Sequence, residues 1–179
     1  VTSHPWDFTD KMIDVISKCD NIMPYIHLPI QSGSDRILKL MGRKYTKEEY
    51  LNLVNKIRER IPNVSITTDI IVAFPGETEE DFNDTLDVVD KVHFEQVFMF
   101  IYSRRVGTPA DKMENQVPEE IKHTRFDKLK NLVEGQIEEN NSNLAAYEEF
   151  DDEYDMEDYN NNTDYQEGYA QKKKKNGNI

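Results

Sequence analysis

His27-Leu-Pro-Ile-Gln-Ser-Gly-Ser34 and Thr67-Thr-Asp-Ile-Ile-Val-Ala-Phe-Pro-Gly-Glu-Thr78 are polar turns of one design, each closing an apolar strand and opening a helix. In an α/β barrel, ligands sit at such turns. Working outward, Tyr25-Ile-His-Leu28 is short and strand-like. Before it, Phe8, Met12, Ile13, Val15 and Ile16 recur at helical spacing and end near Cys19. After the first turn, Ser34 caps a helix carrying Ile37, Leu38 and Met41.

Thr46-Lys-Glu-Glu49 is a capping box that opens a second helix, with Tyr50, Leu51, Val54 and Ile57 on its apolar face and Pro62 at its end. Val64 to Phe74 reads as the next strand, and its unbroken Ile70-Ile-Val-Ala-Phe74 end predicts burial on both faces, as in a parallel sheet. Thr78-Glu-Glu-Asp81 repeats the box, Phe82, Leu86, Val89 and Val92 form one helical face, and Gln96 to Tyr102 is the following strand. Pro118 suits the first turn of a last helix with Ile121, Phe126, Leu129, Leu132 and Val133 at core spacing. Alternation with short connections predicts a parallel α/β architecture, a barrel or part of one.

From about Asn140 the composition turns to asparagine, aspartate, glutamate and tyrosine, and a lysine run, Lys172 to Lys175, closes the chain. Such a segment buries too little apolar surface to offset its ordering entropy, so residues 140–179 are expected to be a disordered tail behind a folded part, residues 1–139. The chain holds 35 acidic and 22 basic residues, but without the ten acids from Glu148 to Glu167 and the four closing lysines the balance is only 25 to 18. A mildly acidic folded part argues against a broad basic face gripping nucleic acid, so any RNA contact is expected to be local or to come from parts outside this sequence. One cysteine, Cys19, forms no intrachain disulfide and cannot ligate an iron–sulfur cluster. No apolar run approaches the roughly 20 residues that span a bilayer, and the default is an intracellular protein of the cytoplasm or an organelle. The sequence opens at Val1 in strand-like residues, so an upstream portion is expected, and a targeting segment would lie there.

Gln31, Ser32 and Ser34 offer amide and hydroxyl groups at a strand end, and Gly33 permits close backbone approach. They read either as a binding turn or as a helix cap with local backbone partners. Arg43 suits a carboxylate held bidentately, or the negative end of the preceding helix. Asp69, inside an apolar strand, must meet donors, either of the protein or of a ligand's hydroxyls. Pro75 and Gly76 turn the chain ahead of Glu77, where backbone could hold a flat ligand group, or Glu77 could favour the helix start. Tyr102-Ser-Arg-Arg-Val-Gly-Thr-Pro109 is a third loop at the same end, with Arg104 and Arg105 suited to phosphate or carboxylate. His4, His27, His93 and His123 lack metal-ligand spacing, and His27 reads as a satisfied core histidine.

These blocks, with Met41-Gly-Arg-Lys-Tyr-Thr46 and Gln116-Val-Pro-Glu-Glu120, resemble the radical SAM methylthiotransferases, in particular the branch acting on tRNA. The resemblance covers about 130 residues and implies the C-terminal half of a partial (βα)6 barrel of the TIM type, with parallel strands and flanking helices. It implies S-adenosylmethionine and two 4Fe-4S clusters, a reductant for the clusters, and radical abstraction of hydrogen from an adenosine beside the tRNA anticodon. The implied product is the 2-methylthio derivative of N6-isopentenyladenosine.

By motif, Gln31 and Asp69 would face the ribose hydroxyls of S-adenosylmethionine and Arg43 its carboxylate, with Ser32 beside them in the same turn. Ile71 and the Phe74 to Glu77 turn, Gly76 included, would face its adenine, and Tyr102, Arg104 and Arg105 would face the substrate. The family's cluster cysteines, its preceding domain and its RNA-binding C-terminal domain are not in this sequence, so the chain by itself is expected to be inactive. Ala73 stands where glycine is usual and Arg104 where proline is usual. Rival readings are a methylthiotransferase for threonylcarbamoyladenosine or for a ribosomal protein, a non-catalytic half-barrel interaction module, and a hydrolase or lyase using Asp69 with Glu77.

Overall fold

β2 (Ser65–Val72) runs through the middle of a three-stranded parallel sheet, between β1 (Tyr25–His27) and β3 (Gln96–Ile101). A computed structural model describes residues 4–139, and the tail expected from residue 140 lies outside the described residues. The chain divides into two units, residues 1–137 and 138–179, and the sheet lies in the first. His27 is opposite Thr67, and Thr67 is in turn opposite Gln96.

Parallel neighbours need crossovers. α2 (Asp35–Leu40) and α3 (Lys47–Arg60) carry the chain from β1 to β2, and α4 (Glu79–Val92) carries it from β2 to β3. α1 (Asp10–Lys18) precedes the sheet, and α5, residues 119–139, follows it. Each start is chemically marked. Thr9 and Ser34 accept from Met12 N–H and Ile37 N–H, and the boxes at Thr46 and Thr78 are closed in both directions.

Burial alternates along β2 from Thr68 onward, Thr67 on the other face being buried as well. Ile66, Thr68, Ile70 and Val72 are buried, and the three apolar ones join a core with Ile13, Tyr50, Val54, Ile57, Phe82, Val89 and Leu129 from the helices. Asp69 and Ile71 on the other face are half-buried, and their neighbours on β3, Phe98 and Phe100, are 41% and 51% exposed. The expected two-sided burial is therefore corrected: among the described residues the helices cover one face only. Val15 and Ile121, read as core-facing, are 52% and 40% exposed, because each lies at the edge of its helix's apolar stripe.

Two contacts lock the sheet to its helices. A Cβ at Gly33 would overlap the α4 backbone at Asp84 and Thr85, and Gly33 N–H donates to Thr85 Oγ1 at 2.9 Å. The close approach expected of this glycine is thus to a helix. The second contact is the Asp81 carboxylate, which accepts from Thr78 N–H at 2.8 Å, from Ser34 Oγ at 2.6 Å and from the Arg36 guanidinium. Burial pushes this carboxyl up, but the Arg36, Ser34 and Thr78 donors outweigh it and hold it well below its ordinary value of 3.8.

Gly33→Ala is expected to lower stability by about 2–3 kcal/mol, because two backbones must separate, and urea unfolding followed by circular dichroism measures it. The depressed Asp81 carboxyl contributes stability that is complete above its unfolded value of 3.8 and fades as pH falls through the lower folded value. The melting midpoint should therefore drop steeply as pH falls below 3.8 toward the lower folded value, and less steeply in Asp81→Asn, whose neutral-pH midpoint is already reduced.

Candidate functional site

β1 ends where the polar turn begins: Leu28 N–H still donates to Thr67 O at 2.8 Å, and Pro29 and Ile30 then make no backbone hydrogen bond to β2. The Thr68 hydroxyl fills the gap, donating to Leu28 O at 3.0 Å and accepting from Ile30 N–H at 3.0 Å. Gln31 then rejoins β2: its N–H donates to Asp69 O at 2.8 Å and its carbonyl accepts from Ile71 N–H at 2.9 Å. The return requires φ of +73° at Gln31, a left-handed conformation that costs a side-chain-bearing residue about 1 kcal/mol. Non-glycine strain of this kind concentrates where ligands are clamped.

Beyond the C-terminal ends of the strands lies an open cleft of about 620 Å³ lined by Gln31, Arg43, Asp69, Ile71, Phe74, Tyr102 and Arg105, together with Phe100, Ile101, Ser103, Thr108 and Ala110. Gln31 is buried at 8% exposure, and Phe74 meets Tyr102 edge-on at 5.3 Å between ring centroids. Arg43 reaches His4, with Nη1 at 2.9 Å from His4 Nε2. Its own Nε and the Tyr102 hydroxyl are both buried without a hydrogen-bond partner. Asp69 is only partly desolvated, with 29% of its side chain exposed and His27 Nε2 at 3.4 Å from Oδ1. His27 is held on its other side by Thr67 Oγ1 at 2.9 Å and lies on the half-open sheet face, so it is satisfied as expected but not in the core.

Four residues from the sequence reading are occupied elsewhere. Ser32 is fully buried against Thr85 Oγ1 at 3.4 Å and accepts from Ser34 N–H. Gly76 donates to Asn115 O and accepts from Arg36. Arg104 pairs with Asp111 at 3.1 Å, leaving Arg105 on the cleft. Glu77, 2% exposed at its side chain, accepts from Ala73 N–H at 3.0 Å and from Arg125 Nη1 at 2.8 Å. Burial pushes the Glu77 carboxyl up, against the Ala73 N–H and Arg125, which pull it down.

Sequence reasoning missed Phe100, Ile101 and Ala110 on the cleft, and Arg125 behind it. Phe100 had a signal in the alternation of β3, whereas Arg125 is one arginine among several in a helix.

Residues 1–89, just under half of the chain, match the Radical SAM superfamily, and this part of the chain belongs to it. The fold is that of a solved radical SAM enzyme, coproporphyrinogen III oxidase (HemN) of Escherichia coli, with a TM-score of 0.62 at 18% identity over 75% of this chain and 31% of that one. Within the superfamily, the chain is 60% identical over 141 residues to the tRNA-2-methylthio-N(6)-dimethylallyladenosine synthase of Clostridium tetani, covering 79% of this chain and 31% of that protein. The enzyme of the same name from Staphylococcus haemolyticus is 58% identical over 132 residues, covering 74% and 26%. That of Caldicellulosiruptor saccharolyticus is 60% identical over 134 residues, covering 75% and 28%. The chain therefore spans between a quarter and a third of the length of these relatives.

Ala73, wholly buried at the turn where glycine is usual in the resembling family, has φ of +60°. Ala73→Gly relieves that strain and is expected to stabilise the protein by about 1 kcal/mol, a gain partly offset by the freer unfolded chain and read as a raised urea midpoint.

Proposed function

We propose that this chain carries the S-adenosylmethionine pocket of a MiaB-type tRNA methylthiotransferase, an enzyme that places a methylthio group at C2 of N6-isopentenyladenosine beside the anticodon. The observation that carries the reading is that Gln31, Arg43, Asp69 and Tyr102 line one cleft, and that Arg43 Nε and the Tyr102 hydroxyl are buried without a hydrogen-bond partner. Orphaned donors at the mouth of a parallel sheet fit a polar nucleoside with a charged tail.

In this reading the Gln31 amide and the Asp69 carboxylate take the ribose hydroxyls and Arg43 takes the amino-acid carboxylate. Ile71 and Phe74 flank the adenine, with the turn through Gly76 and Glu77 shaping that wall from behind and Ser32 supporting Gln31. Tyr102 and Arg105, with Arg104 bracing their loop, face the RNA. S-adenosylmethionine bound here would supply the 5′-deoxyadenosyl radical that takes hydrogen from the adenosine, the methyl group coming from another S-adenosylmethionine. The chain's own part is to bind it, orient it and keep water from its nucleoside end. The names of the relatives favour the isopentenyl substrate over the threonylcarbamoyl one.

The clusters do not fit this chain. A four-iron cluster needs several thiolates, the sequence has one cysteine at the C-cap of α1, and among the described residues no group of three or more His, Cys, Asp or Glu could hold a metal. Cluster ligation and the contact with a reductant are accordingly assigned to residues outside this sequence, and the chain alone is proposed to bind without turnover. A tRNA substrate places the complete protein inside the cell, in the cytoplasm or an organelle. Among the described residues no helix is long and apolar enough to cross a membrane.

Isothermal titration of the full chain with S-adenosylmethionine is expected to give saturable binding. Asp69→Ala removes a charged acceptor and should weaken that binding roughly ten- to a hundredfold. No saturable heat from the folded, unmutated chain would overturn the reading.

A further inference from the structure

The wall of the cleft at Phe74 is held from behind by a residue far away in sequence. Arg125, on α5 and 48 residues from Glu77, donates from Nη1 to the Glu77 carboxylate at 2.8 Å and to the Glu77 carbonyl at 3.1 Å. Both side chains are almost fully buried, 6% and 2% exposed, and the guanidinium lies 5.6 Å from the centroid of the Phe82 ring. The same Glu77 carboxylate accepts the N–H of Ala73, the residue held at φ of +60°, and Glu77 N–H closes the turn on Phe74 O at 2.9 Å. Glu77 is therefore the acceptor around which the turn is folded, and Arg125 keeps that acceptor charged and in place. Without Arg125, a buried carboxylate would have to take up a proton or move toward water. Either change weakens the hold on Ala73 N–H and frees Phe74.

We infer that Arg125 is a positioning residue for the nucleoside: acting through Glu77, it fixes the Ala73–Glu77 turn so that Phe74 stands correctly against the cleft. The inference rests on reading the cleft as an S-adenosylmethionine site and extends it to a residue that neither touches the ligand nor lies in the matched residues 1–89. The Arg125 Nη1 alone reaches both the carboxylate and the carbonyl of Glu77, while Nη2 and Nε lie 3.5 Å from Glu79 Oε2, so the planar fork is oriented by a second acid at the helix start.

The test uses the full chain, with adenosine and S-adenosylmethionine titrated separately, well below each variant's own melting midpoint. Arg125→Met is expected to weaken both ligands by about tenfold or more and by the same factor, since a misplaced wall affects the shared nucleoside. Arg125→Lys keeps the charge and should recover part of the loss. If the variants melt earlier yet bind adenosine as tightly as the parent, Arg125 is purely structural and the inference is overturned while the proposed function stands. If the folded parent binds neither ligand, the proposed function falls and the inference falls with it. Should Arg125→Met fail to fold, Arg125→Lys decides: a severalfold loss of adenosine affinity upholds the inference, and an unchanged affinity overturns it.

Discussion

The break in β1 at Pro29 is the constraint on which the rest is arranged. After Leu28, whose N–H donates to Thr67 O, the chain leaves the β2 backbone at Pro29 and Ile30 and must be brought back. Thr68 spans the gap with one hydroxyl used twice, and Gln31 rejoins β2 through two backbone hydrogen bonds. That return sets the positions of the neighbouring residues. The Gln31 side chain reaches the cleft, Gly33 is pressed against α4, and Ser34 both starts α2 and donates to Asp81 at the start of α4. One interruption thus converts a plain strand end into a rim where a cleft-lining side chain, a helix contact and a helix cap succeed one another.

Strain is placed with the same economy. Gln31 and Ala73, both in left-handed backbone, end neighbouring strands beside the cleft. Each is over-determined by its surroundings, Gln31 by its two bonds to β2 and Ala73 by the Glu77 carboxylate. The conformational cost at these positions is met by backbone and carboxylate contacts within the strands and the turn.

Helix starts are legible in the sequence because a capping box is closed within one turn, and Thr46 and Thr78 declare themselves by their neighbours alone. The parallel order and the gathering of Gln31, Asp69, Ile71, Phe74, Tyr102 and Arg105 also follow from placing each residue near or just past the C-terminal end of its strand, whereas Arg43 comes to the cleft from the end of α2. What is not legible depends on partners far along the chain. Gly33 announces a close approach but not that Asp84 and Thr85 are what approaches, and Ser32 looks available until Thr85 is seen beside it. Glu77 looks like a helix-start charge until Arg125 is found against it. The apolar end of β2 reads as buried on both sides because sequence cannot say whether anything covers the second face, and the exposed Phe98 and Phe100 show that among the described residues nothing does.

Asp81 serves two helices at once, through Thr78 on its own and through Ser34 and Arg36 on α2. The loops leading into those helices are therefore tethered to a common point, and neither can lengthen without pulling on the other. An affinity handle or fluorescent label engineered into this protein belongs at the opposite end of the strands, at Pro62 and Asn63, where the backbone is exposed and Asn63 already makes the turn in left-handed geometry.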